Sequence, residues 1–106
     1  NVFLLSIRPS INERVQIQVL SSKEISQLSF KIFGKGSLLE SETIYFPTPK
    51  KSHVISFIPK TIMIPEAHVL IFYLTTDGEI VPDRIDVKLS NFVRINFILF
   101  PFKLIY

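Results

Sequence analysis

Phe57-Ile-Pro-Lys-Thr-Ile-Met-Ile-Pro-Glu-Ala-His-Val-Leu-Ile-Phe-Tyr-Leu-Thr-Thr-Asp-Gly-Glu-Ile-Val-Pro-Asp-Arg-Ile-Asp-Val87 is the stretch on which the fold turns. Ala67 to Thr75 is apolar at both odd and even positions. Val69, Ile71 and Tyr73 lie on one face and Leu70, Phe72 and Leu74 on the other. A strand apolar on both faces is expected to sit centrally, covered above and below. Asp77-Gly78 then offers the positive-φ residues of a two-residue type I′ hairpin. Glu79 to Leu89 reads as the returning strand, with Val81, Ile85, Val87 and Leu89 on one face. Pro82 near its start suits an edge or a bulge.

The rest of the chain repeats this signal. Val15, Ile17 and Val19 alternate with Gln16 and Gln18, and Leu28, Phe30 and Ile32 alternate with Ser29 and Lys31, the period-two pattern of half-buried strands. Gly34-Lys35-Gly36 supplies a turn into a strand around Leu38 to Tyr45. Pro47-Thr48-Pro49 predicts a loop, and His53 to Ile58 another strand, closed by Pro59. Ser21 to Gln27 is the best helix candidate, a turn or so capped by Ser22. About seven short strands at hairpin spacing point to an all-β, antiparallel, immunoglobulin- or fibronectin-III-like β-sandwich.

Composition agrees with one packed domain. The chain has 106 residues, 47% of them hydrophobic and ten of them Phe. A domain of this size buries somewhat over ~60% of its unfolded surface, enough for its own core. Twelve Lys and Arg stand against nine Asp and Glu, for a formal charge of +3. The basic residues are scattered, with Lys50-Lys51 the densest pair. Nucleic-acid binding would require a basic stripe or helix, so no nucleic-acid partner is expected. There is no cysteine, which excludes a disulfide scaffold and a thiolate metal site without fixing the compartment. No stretch reaches the ~18 uncharged apolar residues of a membrane span. The nearest, Ile95 to Tyr106, is interrupted by Pro101 and Lys103. The chain starts at Asn1 without a leader and reads as a fragment, its targeting signal, if any, lying elsewhere.

Residues able to carry chemistry do not converge. His53 and His68 stand at strand starts with no third ligand at matched spacing. Ser29, Ser37 and Ser56 have no nucleophile-elbow context. Gly34-Lys35-Gly36 lacks the spacing and following helix of a phosphate loop. Glu79 and Asp83 share a strand face, and paired carboxylates can perform acid–base work. The plainer reading is structural contact near a hairpin, to Arg84 or to backbone amides. No catalytic, cofactor-binding or metal-ligating residue is expected, and the chain is not expected to be an enzyme.

Taken in order, Phe57, Pro59, Met63, Pro65, Ala67, Val69, Tyr73, Asp77, Gly78, Glu79 and Asp83 resemble the signature of a macroglobulin-like domain. The family is that of alpha-2-macroglobulin and the thioester-containing proteins, and the resemblance is closest to the insect-type thioester proteins and their membrane-anchored vertebrate relatives. Upstream, Leu28-Ser29-Phe30 and Gly34-Lys35-Gly36 resemble the family's strand–turn–strand, and the resemblance runs from Phe3 to about Ile98. It implies a structural module, of the kind often grouped within a bait-region domain, in a secreted or cell-surface-anchored parent. The parent would trap proteases or tag microbes, and the module's partners would be neighbouring macroglobulin-like domains. The implied boundaries are a domain over 1–90 and, over 91–106, the first strand of a following domain. After Asn96 the family pattern turns polar, with a Pro-Gly turn. This chain instead reads Phe97-Ile-Leu-Phe-Pro-Phe-Lys-Leu-Ile-Tyr106, a truncated or aberrant tail. The family's thioester motif, Gly-Cys-Gly-Glu-Gln, is absent here and belongs to another domain. The rival expectation is a free-standing adhesion or receptor sandwich that binds a protein partner through its loops.

Overall fold

In the computed structural model, which describes residues 1–6 and 9–89, five antiparallel strands form one curled sheet. They are β1 (Val2–Leu4), β2 (Val15–Gly34), β3 (Ser37–Phe57), β4 (Glu66–Thr75) and β5 (Ile80–Lys88). The hydrogen-bonded order is β1-β2-β4-β5, with β3 also on β2. A 3-10 turn, Thr61–Met63, precedes β4.

The strands β2 and β3 span 20 and 21 residues, far beyond the usual strand of about five or six. Each serves both layers of the sandwich. The first part of β2, Val15 to Leu20, pairs with β1 and with Ser52 to Phe57 of β3. Its second part, Ile25 to Gly34, pairs with the first part of β3 and with β4. The expected seven separate strands are thus five, two of which contribute twice.

What lets β2 change layers is a register shift between Leu20 and Ile25. There Ser21 to Glu24 buckle out opposite Lys51 alone. Ile25 keeps the buried phase of Val15, Ile17 and Val19, and the phase switches to Leu28, Phe30 and Ile32 at a second shift, between Ile25 and Gln27. The helical turn expected at Ser21 to Gln27 is therefore strand. Its polar residues and Ser22 mark a bulge rather than a cap. The loop expected at Pro47-Thr48-Pro49 is also strand. These residues fall between the pairs Tyr45–Gln27 and Lys50–Ile25, where β3 carries the excess residues of a second bulge. Since β3 lies at an edge, prolines there cost the ladder little.

The core lies between the layers. Val15, Ile17, Val19, Ile25, Leu28, Ile32, Val69, Ile71 and Val87 are fully buried, joined by Phe30, Phe57 and Tyr73. Burying an aliphatic side chain of this size stabilises by roughly 1.5–3 kcal/mol. As expected, Ala67 to Thr75 pairs with the returning strand, Val69 opposite Ile85 and Ile71 opposite Asp83. The expectation of cover on both faces needs correction. Val69, Ile71 and Tyr73 are 0%, 0% and 4% exposed, whereas Phe72 on the other face is 38% exposed. β4 is central in its sheet, flanked by β2 and β5, but among the described residues only its inner face meets another layer.

The two glycine turns differ from each other. Lys35 and Gly36, between the paired Gly34 and Ser37, have φ of 52° and 80°. Positive φ at both central residues is what a type I′ turn demands. At the β4–β5 hairpin only Gly78 has positive φ, 91°. There the Gly78 amide donates to the Thr75 carbonyl at 3.0 Å and the Thr75 amide to the Glu79 carbonyl at 2.9 Å. This is a three-residue loop, a type I turn followed by a left-handed glycine. The expected two-residue turn is corrected here, while the positive φ of Gly78 stands.

Candidate functional site

Two polar clusters and one apolar face are the features of the described surface on which a function could rest. The first cluster holds the β4–β5 turn against the β2 bulge. Lys23, from the bulge, donates to Asp77 Oδ2 at 2.9 Å and to Glu79 Oε1 at 3.0 Å. The Thr76 amide donates to the Glu24 carbonyl at 3.0 Å. Thr75 is 2% exposed. Its hydroxyl donates to Asp77 Oδ1 and accepts from the Glu79 amide at 3.1 Å. The Thr75 hydroxyl, then the Lys23 ammonium, hold the Asp77 carboxyl down to about 2. The same two carboxylates push the Lys23 ammonium up. A carboxylate so held is acceptor-only and already partnered, so it is a poor general base.

The second cluster lies on the outer face of β4 and β5. His68 Nδ1 is 2.8 Å from Asp86 Oδ1, and His68 Nε2 is 3.8 Å from Glu66 Oε1. The Arg84 guanidinium donates to Asp86 at 2.9 Å and, with His68, holds that carboxyl below the usual range. His53 packs edge-on against Phe46, with ring centroids 4.9 Å apart. Burial, then the Lys50 charge, push its imidazole down. Among the described residues no group of three or more His, Cys, Asp or Glu side chains is arranged to hold a metal ion.

The signature residues are spread through the fold. Phe57, Met63, Ala67, Val69 and Tyr73 lie in the core. Pro59 is fully buried and its carbonyl accepts the Asn12 amide at 3.0 Å. Pro65 follows a cis peptide, and its carbonyl accepts the Leu89 amide at 2.9 Å. Asp77, Gly78 and Glu79 form the clamped turn. Asp83 Oδ1 accepts the Arg84 amide at 2.8 Å, and Oδ2 lies 3.5 Å from the Asn1 amine. Glu79 and Asp83 thus have different partners and do not form an acid–base pair. Sequence reasoning missed Lys23 and Thr75. Thr75 immediately before Asp77-Gly78 had a local signal, since threonine hydroxyls commonly bond turn backbone. Lys23 had none, because it meets the turn across more than fifty residues.

The family model described as alpha-2-macroglobulin bait region domain matches residues 5–97, most of the chain. The chain belongs to the alpha-2-macroglobulin bait region domain family. It is accordingly a module of an alpha-2-macroglobulin-family protein. No curated protein matches it. Among the described residues no helix is long and apolar enough to cross a membrane. The expected strand over 91–106 lies outside the described residues.

Proposed function

We propose that this bait region domain is a non-catalytic scaffold module of a secreted or surface-anchored thioester-family protein that acts in protease trapping or opsonisation. The observation that carries the reading is the family match over residues 5–97. The placement of the signature side chains supports it, because Phe57, Met63, Ala67, Val69 and Tyr73 pack the core and Asp77, Gly78 and Glu79 shape a turn. Such positions specify a shape. The module extends to about residue 90, and 91–106 opens the region that follows. Its immediate partners are the neighbouring macroglobulin-like domains of its parent, and proteases meet the parent rather than this module.

The test is made on the parent chain. Intact parent is mixed with a trypsin-like protease and separated by size, and protease activity toward a small peptide substrate is followed. Co-migration of active protease with the cleaved parent is expected, with loss of capture when Ile71→Asp collapses this module. A parent that neither captures protease nor deposits on microbial surfaces, yet binds a cell-surface protein through the loops of this domain, would replace the reading with a receptor function.

A further inference from the structure

The side of β2 that faces β1 and β4 is not paired along its whole length. β1 covers it from Leu4, opposite Ile17, to Val2, opposite Val19, and β4 takes over at Thr75, opposite Ile25. Among the described residues, Ser21 to Glu24 have no opposite number on β1 or β4. A cavity of about 290 Å³ fills this gap. Leu20 to Lys23 form one wall, Tyr73 and Thr75 of β4 a second, and Val81 of β5 a third.

Tyr73 points to an occupant. It is 4% exposed, and among the described residues its hydroxyl has no hydrogen-bond partner. A buried tyrosine hydroxyl usually finds one, and leaving it unpaired is costly. The charged groups beside the cavity are already matched. Lys23 is held by Asp77 and Glu79, and the Thr75 hydroxyl is bonded to Asp77 and to the Glu79 amide. A free ion therefore has little to gain there.

β1 shows what fits. The Asn1 amine donates to the Leu20 carbonyl, and the Asn1 carbonyl accepts the Leu20 amide, both at 2.8 Å. Reciprocal bonds of this kind make a hydrogen-bonded antiparallel pair. The ladder is thus intact at Asn1, and the next positions along β2, Ser21 and Ser22, border the cavity. Val2 packs against the core, opposite Val19, and strand side chains alternate between faces. A residue placed before Asn1, opposite Ser21, would therefore turn its side chain inward, toward Tyr73 and Val81. The residue before that one, opposite Ser22, would form the next hydrogen-bonded pair. Continuation gives up the 3.5 Å approach of the Asn1 amine to Asp83, which still accepts the Arg84 amide.

We propose that this cavity seats an extended peptide segment that continues β1 in front of Asn1 and gives the Tyr73 hydroxyl its partner. In the parent, that segment is the link arriving from the neighbouring domain on the N-terminal side. The inference thus rests on the reading of the chain as a module among other domains.

The experiment compares two forms of the full chain by thermal unfolding and amide hydrogen exchange. One carries Thr-Thr-Thr before Asn1, a strand-forming probe, and the other Gly-Ser-Gly, a flexible control. Thr-Thr-Thr should raise the unfolding midpoint by a few degrees over the control and slow exchange of the Ser22 amide several-fold. Tyr73→Phe should leave the midpoint of the control form unchanged or raise it, since it removes an unpaired hydroxyl. In the Thr-Thr-Thr form it should lower the midpoint, since there the hydroxyl is bonded. Equal midpoints for the two forms, unchanged exchange at Ser22, or the same response to Tyr73→Phe in both would each overturn the proposal. All the readouts are taken on this chain alone, so their failure is distinct from a failure of the parent to capture protease.

Discussion

The two faces of β4 are almost equally apolar in sequence and have opposite fates in the fold. Val69, Ile71 and Tyr73 point into the core and are sealed by Ile17, Leu28 and their neighbours. Leu70, Phe72 and Leu74 point away and meet solvent, one of them 38% exposed. The alternation of a strand tells how its side chains divide, but not how many layers will cover it. Cover comes from elsewhere in the chain. Here β2 and β3 bend at their bulges and return over one face only. The same apolar residue type should therefore matter greatly on one face and little on the other.

The largest effect is expected in the sealed layer. Ile17→Ala removes a fully buried side chain and should cost about 2–5 kcal/mol, read as a lower denaturant midpoint at unchanged slope. A loss below about 1 kcal/mol would mean that the two layers are not closely packed. Gly34→Ala comes next. An added Cβ there would lie 2.9 Å from Leu39 Cδ1 and 3.0 Å from the Met63 backbone. Overpacking of this kind typically costs about 1–3 kcal/mol. An unchanged thermal midpoint would show that the end of the sandwich is loose.

Gly78→Val should cost about 1 kcal/mol or more. The site is sterically open, so the penalty comes from the backbone: φ of 91° is poorly tolerated by a β-branched residue. Chemical denaturation without any loss would show that the turn can relax to another form. The smallest effect concerns pH. The Asp77 carboxyl is held down to about 2 from its usual 3.8, by Thr75 first and Lys23 second. A carboxyl lowered on folding adds stability above its unfolded value and loses it as pH falls through the folded one. The difference in thermal midpoint between wild type and Asp77→Asn should thus be present at neutral pH and shrink between about pH 4 and 2. A difference that stays constant over that window would detach the clamp from the charge of Asp77.

Much of this fold was legible in the residues. Period-two alternation located the strands at Val15 to Val19, Leu28 to Ile32 and Ala67 to Thr75, and Gly78 announced its own backbone. What escaped was non-local. Ser21 to Glu24 is polar enough to resemble a helix start, and only the pairing of Leu20 with Ser52 and Ile25 with Lys50 makes it a bulge. Pro47 and Pro49 look like breakers until β3 proves to be an edge. Lys35 has no special sequence preference for positive φ, so the residues alone point to Asp77-Gly78 rather than to Lys35-Gly36 as the type I′ turn. The clamp was half visible, since the turn residues Asp77 and Glu79 stand out while their partner Lys23 is an ordinary surface lysine. The outer face was visible as apolar residues but not as exposed ones.

The most direct test of the one-faced sandwich is a matched pair of truncations on adjacent residues of β4, unfolded in denaturant under conditions where the chain is monomeric. Ile71→Ala should lose about 2–5 kcal/mol, as a buried aliphatic does. Phe72→Ala, although it removes more atoms, should lose much less, under about 1.5 kcal/mol, because its ring rests on a solvent-exposed face. Equal losses from the two, or a larger loss from Phe72→Ala, would contradict the assignment of inner and outer faces on which this description of the domain rests.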